Sequence, residues 1–442
     1  MAFALELCAG EAMKVVIVGA GLSGLSAAWH LAQAGVEAQV FEKEAEAGGA
    51  CRTVVRDGFA FDFTGHLLHL RLPESRTLLQ QLGLGHAFRR HKRRAGILLA
   101  GRVTPYPIQI HTARLPREIR RDCLLGFIQA WAQKREDDGS FGSWVLSRFG
   151  EGFARHFFFP YNRKLFCTDP FALTCEWVGR YVPRPELADV VDGALGLFPK
   201  SRAVGYNAWF LYPRVGGIGL LPQTLAQRVP RLFLNSPVVA VRLKQRQVLL
   251  ANGQAVPFDA LIATCPLPQL LAMAEPVPDE LREKAKELAA VGVWNLNLAV
   301  RGQAKRREHW IYCPEEHLPF YRVGFPCNHG VLAPEGFHTV SVEVSVPSGQ
   351  EPPPGWQEAC LDALVREGLL SSRSDVAFSH VARVDPAYVI FNPRRTQAVA
   401  AVRDFFRKAN VFLCGRWAEW KYSTMEDALW DGAAVARKVV QR

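Results

Sequence analysis

The 442-residue chain has no apolar run long enough to span a bilayer, and its opening segment lacks the basic flank and cleavage pattern of a signal peptide. The cytoplasm is therefore its expected compartment. Ten cysteines stand singly, with no C-x-x-C pair and no Cys/His cluster at ligand spacing. Neither a disulfide framework nor a metal site is expected, and the thiols read as reduced and packed. Nor does a Ser/His/Asp grouping, a Cys/His pair or a paired-carboxylate motif stand out. Internal repeats and low-complexity segments are missing too.

What is present is an ordinary globular composition, 49% hydrophobic, on a length that favours two or three intertwined domains. The formal charge of +11 suits acidic small molecules, an anionic membrane or nucleic acid without choosing among them; nucleic acid is not expected as a partner. Residues 115–128 are basic and then apolar, a pattern that fits a packed helix and leaves open a peripheral membrane or partner contact.

Four apolar residues, Val15-Val16-Ile17-Val18, run into Gly19-Ala20-Gly21-Leu22-Ser23-Gly24 and then a helical pattern, with a second strand over 38–42. In that context Gly19 permits a tight turn, Gly21 lets backbone approach a pyrophosphate, and Gly24 permits close helix packing. The helix start offers amide donors to phosphate, and Glu42 can accept from ribose hydroxyls. Further on, 116–199 reads as helical and aromatic, 232–264 as short β-runs with an Asn252-Gly253 turn, and 293–384 as alternating strands. Helices are expected from Pro278 and over 356–367 on that sheet. A strand over 410–415 then leads into a helix from about Met425.

The segment Glu42-Lys43-Glu44-Ala45-Glu46-Ala47-Gly48-Gly49-Ala50-Cys51-Arg52-Thr53 resembles the acidic-then-Gly-Gly signature of the FAD superfamily that includes amine oxidases, protoporphyrinogen oxidase and UDP-galactopyranose mutase. The resemblance implies an α/β fold: a Rossmann-type FAD-binding domain with a helical insert and an antiparallel β-sheet substrate domain. The expected segments are 13–104, 206–275 and 385–442 for FAD, 105–205 for the helical insert and 276–384 for the sheet. FAD would be held by Gly19, Gly21, Ser23, Gly24, Glu42, Lys43, Gly49, Ala50, Arg52 and Val239, and from the C-terminal part by Gly415, Arg416, Thr424, Met425 and Glu426. The helix start near Met425 would stabilise negative charge on a reduced flavin.

Other patches are similar to UDP-galactopyranose mutases. Thr64-Gly65-His66-Leu67-Leu68-His69 resembles a Gly-Ala-His-x-x-His segment, which puts His66 beside the flavin, and Pro105-Tyr106-Pro107-Ile108-Gln109 resembles a substrate-cleft segment. Tyr161-Asn162-Arg163-Lys164-Leu165-Phe166 resembles a Tyr-Thr-x-Lys-Gln-Trp loop, with Phe166 for Trp. The spacing from Arg180 to Arg184, and Pro319-Phe320-Tyr321-Arg322, resemble segments supplying two diphosphate arginines, Arg184 and Arg322. Tyr388 matches a phosphate-contacting tyrosine. Gly415 through Glu426 keeps the spacing of Gly-Arg-x-x-x-Tyr-x-Tyr-x-Asp-Met-Asp, making Tyr422 a phenol donor to diphosphate.

The implied activity is that of a nucleotide-sugar pyranose/furanose mutase, an isomerase of cell-surface polysaccharide biosynthesis in which reduced flavin N5 is the nucleophile on the anomeric carbon. His66, Arg184 and Arg322 are then catalytic, and Tyr161, Phe166, Tyr388 and Tyr422 bind substrate. Phe166, Trp420 and Thr424 depart from the family pattern and leave the sugar open. The reductant is not specified by the sequence, and a homo-oligomer is left open. The alternative is an oxidoreductase of the amine oxidase or protoporphyrinogen oxidase type; a third reading is a flavin-binding protein without chemistry.

Overall fold

A computed structural model describes residues 13–133, 136–179, 181–182, 184–197 and 208–441, so Arg180 and Pro199 lie outside the described residues. The chain divides into two compact units. One takes the chain up to Gly49, Leu221–Lys286 and the chain from Gln397; the other takes Ala50–Leu220 and Glu287–Thr396.

In the first unit the strand Val15–Val18 is buried throughout, as its β-branched apolar run requires at the centre of a parallel sheet. It pairs in parallel with Ala38–Phe41 on one side and Ala260–Ala263 on the other. Val411–Leu413 and Leu232–Phe233 complete the five strands at the two edges. The helix Leu22–Gln33 joins the first two strands, and the C-terminal helix Met425–Val440 packs along it, with Ser26 Oγ donating to the Leu429 carbonyl at 2.6 Å. A smaller sheet holds Val238–Arg242 between Gln247–Leu250 and Ala274–Glu275. The Asn252-Gly253 turn leads into a short strand, Ala255–Pro257, while Ala260–Ala263 joins the parallel sheet.

The second unit is built on a seven-stranded sheet, in the order Val376–Val389, Ala290–Arg301, Phe337–Pro347, Arg322–Gly324, Trp310–Tyr312, Ala95–Leu99 and Arg102–Pro105. All pairs are antiparallel except Trp310–Tyr312 with Ala95–Leu99. The helices Arg117–Gln133, Phe141–Phe153 and Phe159–Phe166 contribute Phe127, Trp144, Phe153 and Phe166 to the same core as Val293 and Ala387 of the sheet and Tyr321, which precedes the strand Arg322–Gly324. Helical insert and sheet therefore share one unit.

These boundaries differ from the five segments read in the sequence. Residues 50–104 fall in the second unit because Ala95–Leu99 and Arg102–Pro105 extend its sheet. The helix Asp279–Ala285, expected on that sheet, falls in the first unit. In Arg117–Gln133 the buried face is Cys123, Phe127 and Ala130, while Leu125, Ile128 and Trp131 are exposed on the side that carries Arg117 and Arg121. Among the described residues no helix is long and apolar enough to cross a membrane.

Candidate active site

The glycine turn gives the first unit its cradle. Gly19 sits at φ +100°, where an L side chain is strained, and donates its N–H to the Phe41 carbonyl at 2.8 Å. A Cβ on Gly24 would stand 2.0 Å from the Gly19 carbonyl oxygen, whereas one on Gly21 would meet nothing within 4 Å. The backbone at Gly21 thus faces open space. Behind it the helix Leu22–Gln33 has no side-chain cap and no acidic residue in its first turn, so its N-terminal dipole is uncompensated by side chains there. This donor set fits the pyrophosphate of FAD.

Glu42 is buried at the end of its strand. Its Oε2 accepts the Ala20 N–H at 2.7 Å and its Oε1 the Glu44 N–H at 3.0 Å, leaving lone pairs for ribose hydroxyls. Gly48 donates to the Ala20 carbonyl, and Gly49 lies against Gly21, so the Gly-Gly pair packs on the glycine turn. Lys43 is exposed beside Glu44. Val239 is the bulged residue of its strand, skipped in the pairing between Val238 and Ala240, and is 46% exposed. In the second unit, the Arg52 guanidinium lies over the Phe63 ring at 4.5 Å. Ala50 follows Gly49 in a 3₁₀ turn.

The C-terminal element joins this cradle through Gly415, where a Cβ would come within 2.2 Å of Ser23 Oγ. Arg416 donates from Nη1 to the Ser423 carbonyl at 3.0 Å, and its guanidinium lies over the rings of Trp417 and Tyr422. Thr424 caps the helix Met425–Val440 in a reciprocal box: its Oγ1 accepts from the Asp427 N–H, and Asp427 Oδ2 accepts from the Thr424 N–H at 2.8 Å. Thr424, which departs from the acidic residue of the resembled pattern, thus supplies the helix cap, a signal legible in Thr-x-x-Asp. Met425 and Glu426 follow, buried in the first turn. Thr424→Ala is expected to lower stability by about 1 kcal/mol, which thermal unfolding of the flavin-loaded protein would detect.

In the second unit the sequence missed the group that matters most to Arg322. Its guanidinium donates from Nε and Nη2 to Glu343, at 3.0 Å and 2.7 Å, and both side chains are largely buried. Tyr321 Oη also donates to Glu343 Oε2, and the Gly65 N–H donates to Oε1 at 3.1 Å. Burial pushes the Glu343 carboxyl up, but the charge and hydrogen bonds of Arg322, with Tyr321 and Gly65, hold it below the ordinary carboxylate range. Burial likewise opposes charge on Arg322, and Glu343 more than offsets it. The loop carrying His66, whose Nδ1 lies 3.0 Å from Thr64 Oγ1, is thus tied to this ion pair.

Arg184 differs. It is exposed, lies over the Trp144 ring at 5.2 Å, and has no carboxylate partner among the described residues. Neither arginine contacts the other in the interactions described. Tyr161 stands edge-on to both Tyr312 and Tyr321, and its phenol is raised well above its usual range by burial. Phe166 is 1% exposed and edge-on to Tyr388, a buried core ring where the sequence pattern suggested one covering a nucleobase or sugar. Lys164, from the same loop, donates to the Cys313 and Glu315 carbonyls, and burial draws its pKa down to about 8.

A further polar centre is built on Asp62. Asp62 accepts from Thr53 Oγ1, Tyr212 Oη and the Ile218 N–H, and burial pushes its carboxyl up to about 6 against those donors. The Tyr212 ring meets His329, which packs edge-on to His309 and His91. Burial, then Arg94 and His91, draws His309 down to about 3. An unfolded chain takes up a proton below about pH 6.5 that folded His309 refuses, so this residue costs stability as pH falls from there, by about 2 kcal/mol at pH 5. Asp62 works in the opposite sense, its contribution being lost as pH rises through about 6. His309→Asn keeps an acceptor for the Arg94 N–H and is expected to gain about 2 kcal/mol relative to wild type between pH 7 and 5 in urea unfolding.

Comparison with known proteins gives the chain its family and fold. The family described as flavin containing amine oxidoreductase matches residues 22–352. The crystal structure of a reduced UDP-galactopyranose mutase superposes with a TM-score of 0.92 at 25% identity, over 97% of this chain and 96% of that one. A putative protoporphyrinogen oxidase from Exiguobacterium sp. 255-15 superposes at 0.74 and 17% identity, over 97% and 99%. In sequence, protoporphyrinogen oxidase 2 of Arabidopsis thaliana is 39% identical over 71 residues, 16% of this chain and 14% of that protein. A 4,4'-diapolycopene oxygenase of Methylomonas sp. is 46% identical over 55 residues, 12% of this chain and 11% of that protein. These sequence relatives are thus matched over a small part of their length.

Proposed function

Because the chain belongs to the flavin-containing amine oxidoreductase family and its cofactor is FAD, we propose that it is a FAD-dependent isomerase of a nucleotide-diphosphate sugar, interconverting pyranose and furanose forms. The observation that carries this reading is the whole-length likeness to the reduced mutase, greater than the likeness to the oxidase over the same share of the chain. Bound in its reduced form, FAD supplies an electron-rich nitrogen able to attack an anomeric carbon. The chain's own residues bind and orient. Arg184, exposed and without a carboxylate partner among the described residues, offers its full fork to a diphosphate. Arg322 offers chiefly Nη1, because Glu343 takes its other edge. Tyr388 and Tyr422 would donate phenol protons to phosphate oxygens, and His66 would be oriented by Thr64. The test is to incubate dithionite-reduced protein with UDP-galactose and other nucleotide sugars and resolve pyranose from furanose by chromatography. Interconversion of at least one is expected; none, with no nucleotide protecting the protein, overturns the reading.

The second reading, an oxidoreductase, is favoured by one observation. A buried guanidinium neutralised by a buried carboxylate presents little net charge, which suits a weakly charged substrate better than a diphosphate. Rapid oxygen consumption with an amine or porphyrinogen, and indifference to UDP, would decide for it.

The helix Arg117–Gln133 supports a peripheral contact with an anionic bilayer as part of the same proposal, since Leu125, Ile128 and Trp131 are exposed beside Arg117 and Arg121. Co-sedimentation with phosphatidylglycerol-containing vesicles, absent with pure phosphatidylcholine and lost in Trp131→Glu, is the expected result. Equal pelleting of the variant would remove the contact.

A further inference from the structure

One face of the paired strands Ala290–Arg301 and Phe337–Pro347 is polar although it is buried. Asn295 and Asn297 stand opposite Glu343 and Ser341, which in turn stand opposite Arg322 and Gly324. Residues directly opposite in antiparallel strands, and residues two apart along each strand, share a face. Arg322, Glu343, Asn295, Ser341 and Asn297 therefore form one polar patch, in which both asparagines, Ser341 and Glu343 are buried. The other face is apolar: Leu296, Leu298, Val340 and Val342 join one core with Leu364 of the helix Trp356–Arg366. Burying amides where aliphatic side chains would fit is unfavourable unless their hydrogen bonds are made.

Those bonds are made, and they converge on one stretch of backbone. Ser341 Oγ donates to Asn295 Oδ1 at 2.8 Å, which turns the Asn295 amide nitrogen the other way. That nitrogen donates to the Asp62 carbonyl and to Asn297 Oδ1, each at 3.2 Å, and Asn297 Nδ2 donates to the same carbonyl at 3.4 Å. Both amides are thereby set as donors to Asp62. The Asp62 carboxylate is held separately by Thr53 Oγ1, Tyr212 Oη and the Ile218 N–H, so this residue is anchored through backbone and side chain alike. On one side of it, Phe61 stacks on His380, which stands opposite Asn297. On the other, Glu343 takes the Gly65 N–H, and a Cβ on Gly65 would stand 3.4 Å from Arg322 Nη2. The segment from Phe61 to Gly65 thus lies along the polar face, and His66 follows it.

The geometry points to Asn295 as a positioning residue: its amide fixes the Asp62 carbonyl, and with it the placement of His66 relative to Arg322. Asn297 reinforces the same carbonyl. The inference rests on the isomerase reading, in which His66 and Arg322 both belong to the substrate site. Asn295 acts there through the backbone it holds. A side chain of similar size without donors keeps the volume of the core and releases the segment. Misplacing a reacting group by about 1 Å costs on the order of a hundredfold in rate, while binding through other groups is little changed.

The test uses full-length, flavin-loaded protein carrying histidine labelled with carbon-13 at the ring Cε1 position, with the His66 resonance assigned by His66→Gln. In Asn295→Leu, which keeps the volume and removes the donors, the His66 resonance is expected to shift while those of His309 and His329 stay in place. UDP affinity should change by less than about twofold, and turnover of the nucleotide sugar that the wild type converts should fall at least about tenfold. Asn297→Leu loses only the longer bond and should move both readouts in the same direction by less. It carries the test should Asn295→Leu fail to bind flavin. In a flavin-binding variant, a His66 resonance that stays in place or a turnover that stays at the wild-type level overturns the inference. A wild type that isomerises no nucleotide sugar overturns the functional reading instead, and the His66 resonance still decides whether Asn295 holds the segment.

Discussion

Replacing Glu343 by alanine is expected to destabilise the protein by about 3–5 kcal/mol, because it leaves the buried Arg322 guanidinium without its counter-charge. It also strips the acceptor from Tyr321 Oη and the Gly65 N–H. Arg322→Met alone leaves the opposite charge stranded and is expected to cost a similar amount. The two together should cost well under the sum, since no charge is then stranded; urea unfolding of the four proteins closes the cycle. A double variant as damaging as the sum would mean that the pair is not coupled. Glu343→Gln separates stability from function. It keeps an acceptor for Gly65 or Tyr321 but frees the Arg322 guanidinium, so UDP affinity should rise by about tenfold if Arg322 is a diphosphate ligand. Unchanged UDP affinity in a folded Glu343→Gln protein would favour the oxidoreductase reading.

Why that pair escaped the sequence is instructive. The run Thr339-Val340-Ser341-Val342-Glu343-Val344 reads only as an alternating strand of an antiparallel sheet, with nothing in it that marks Glu343 for burial. In the folded chain the strand is covered on both sides: Thr339, Ser341 and Glu343 are buried along with Val340 and Val342. Alternation reports the period of a strand and is silent on what covers its second face. The strand Val15–Val18 was legible because it is apolar on both faces and runs straight into the glycine turn, whereas Ala260–Ala263, read with the short β-runs of 232–264, proves to be its parallel neighbour. Local signals did well where the cause is local, as at Asn252-Gly253. Boundaries did less well because they depend on pairing between distant segments: nothing within 95–105 announces that those strands extend a sheet that also holds Ala290–Arg301 and Phe337–Pro347. Phe166 shows the same limit. Its motif position suggested a substrate-facing ring, and only packing against Trp177 and Tyr388 reveals a core residue.

The motif glycines carry the second large effect, and two of them should fail in different ways. In Gly24→Ala the new methyl would meet the Gly19 carbonyl oxygen at 2.0 Å, a contact between backbone groups with no flexible side chain to yield. Gly19 cannot retreat easily. It is held at positive φ by its bond to the Phe41 carbonyl, and its own Cβ direction is closed by Thr264 Oγ1 at 2.4 Å. The helix must therefore shift off the sheet, at a cost above about 3 kcal/mol, and FAD should be lost with it. Gly21→Ala meets nothing within 4 Å and should leave the thermal midpoint of the apoprotein nearly unchanged. Its methyl occupies the space through which backbone would approach the pyrophosphate, so FAD affinity should fall at least about tenfold. The ratio of flavin absorbance to protein, together with apoprotein melting, separates the two. A Gly21→Ala protein that retains stoichiometric FAD through extensive dialysis would mean that the cofactor's phosphates do not rest on this turn.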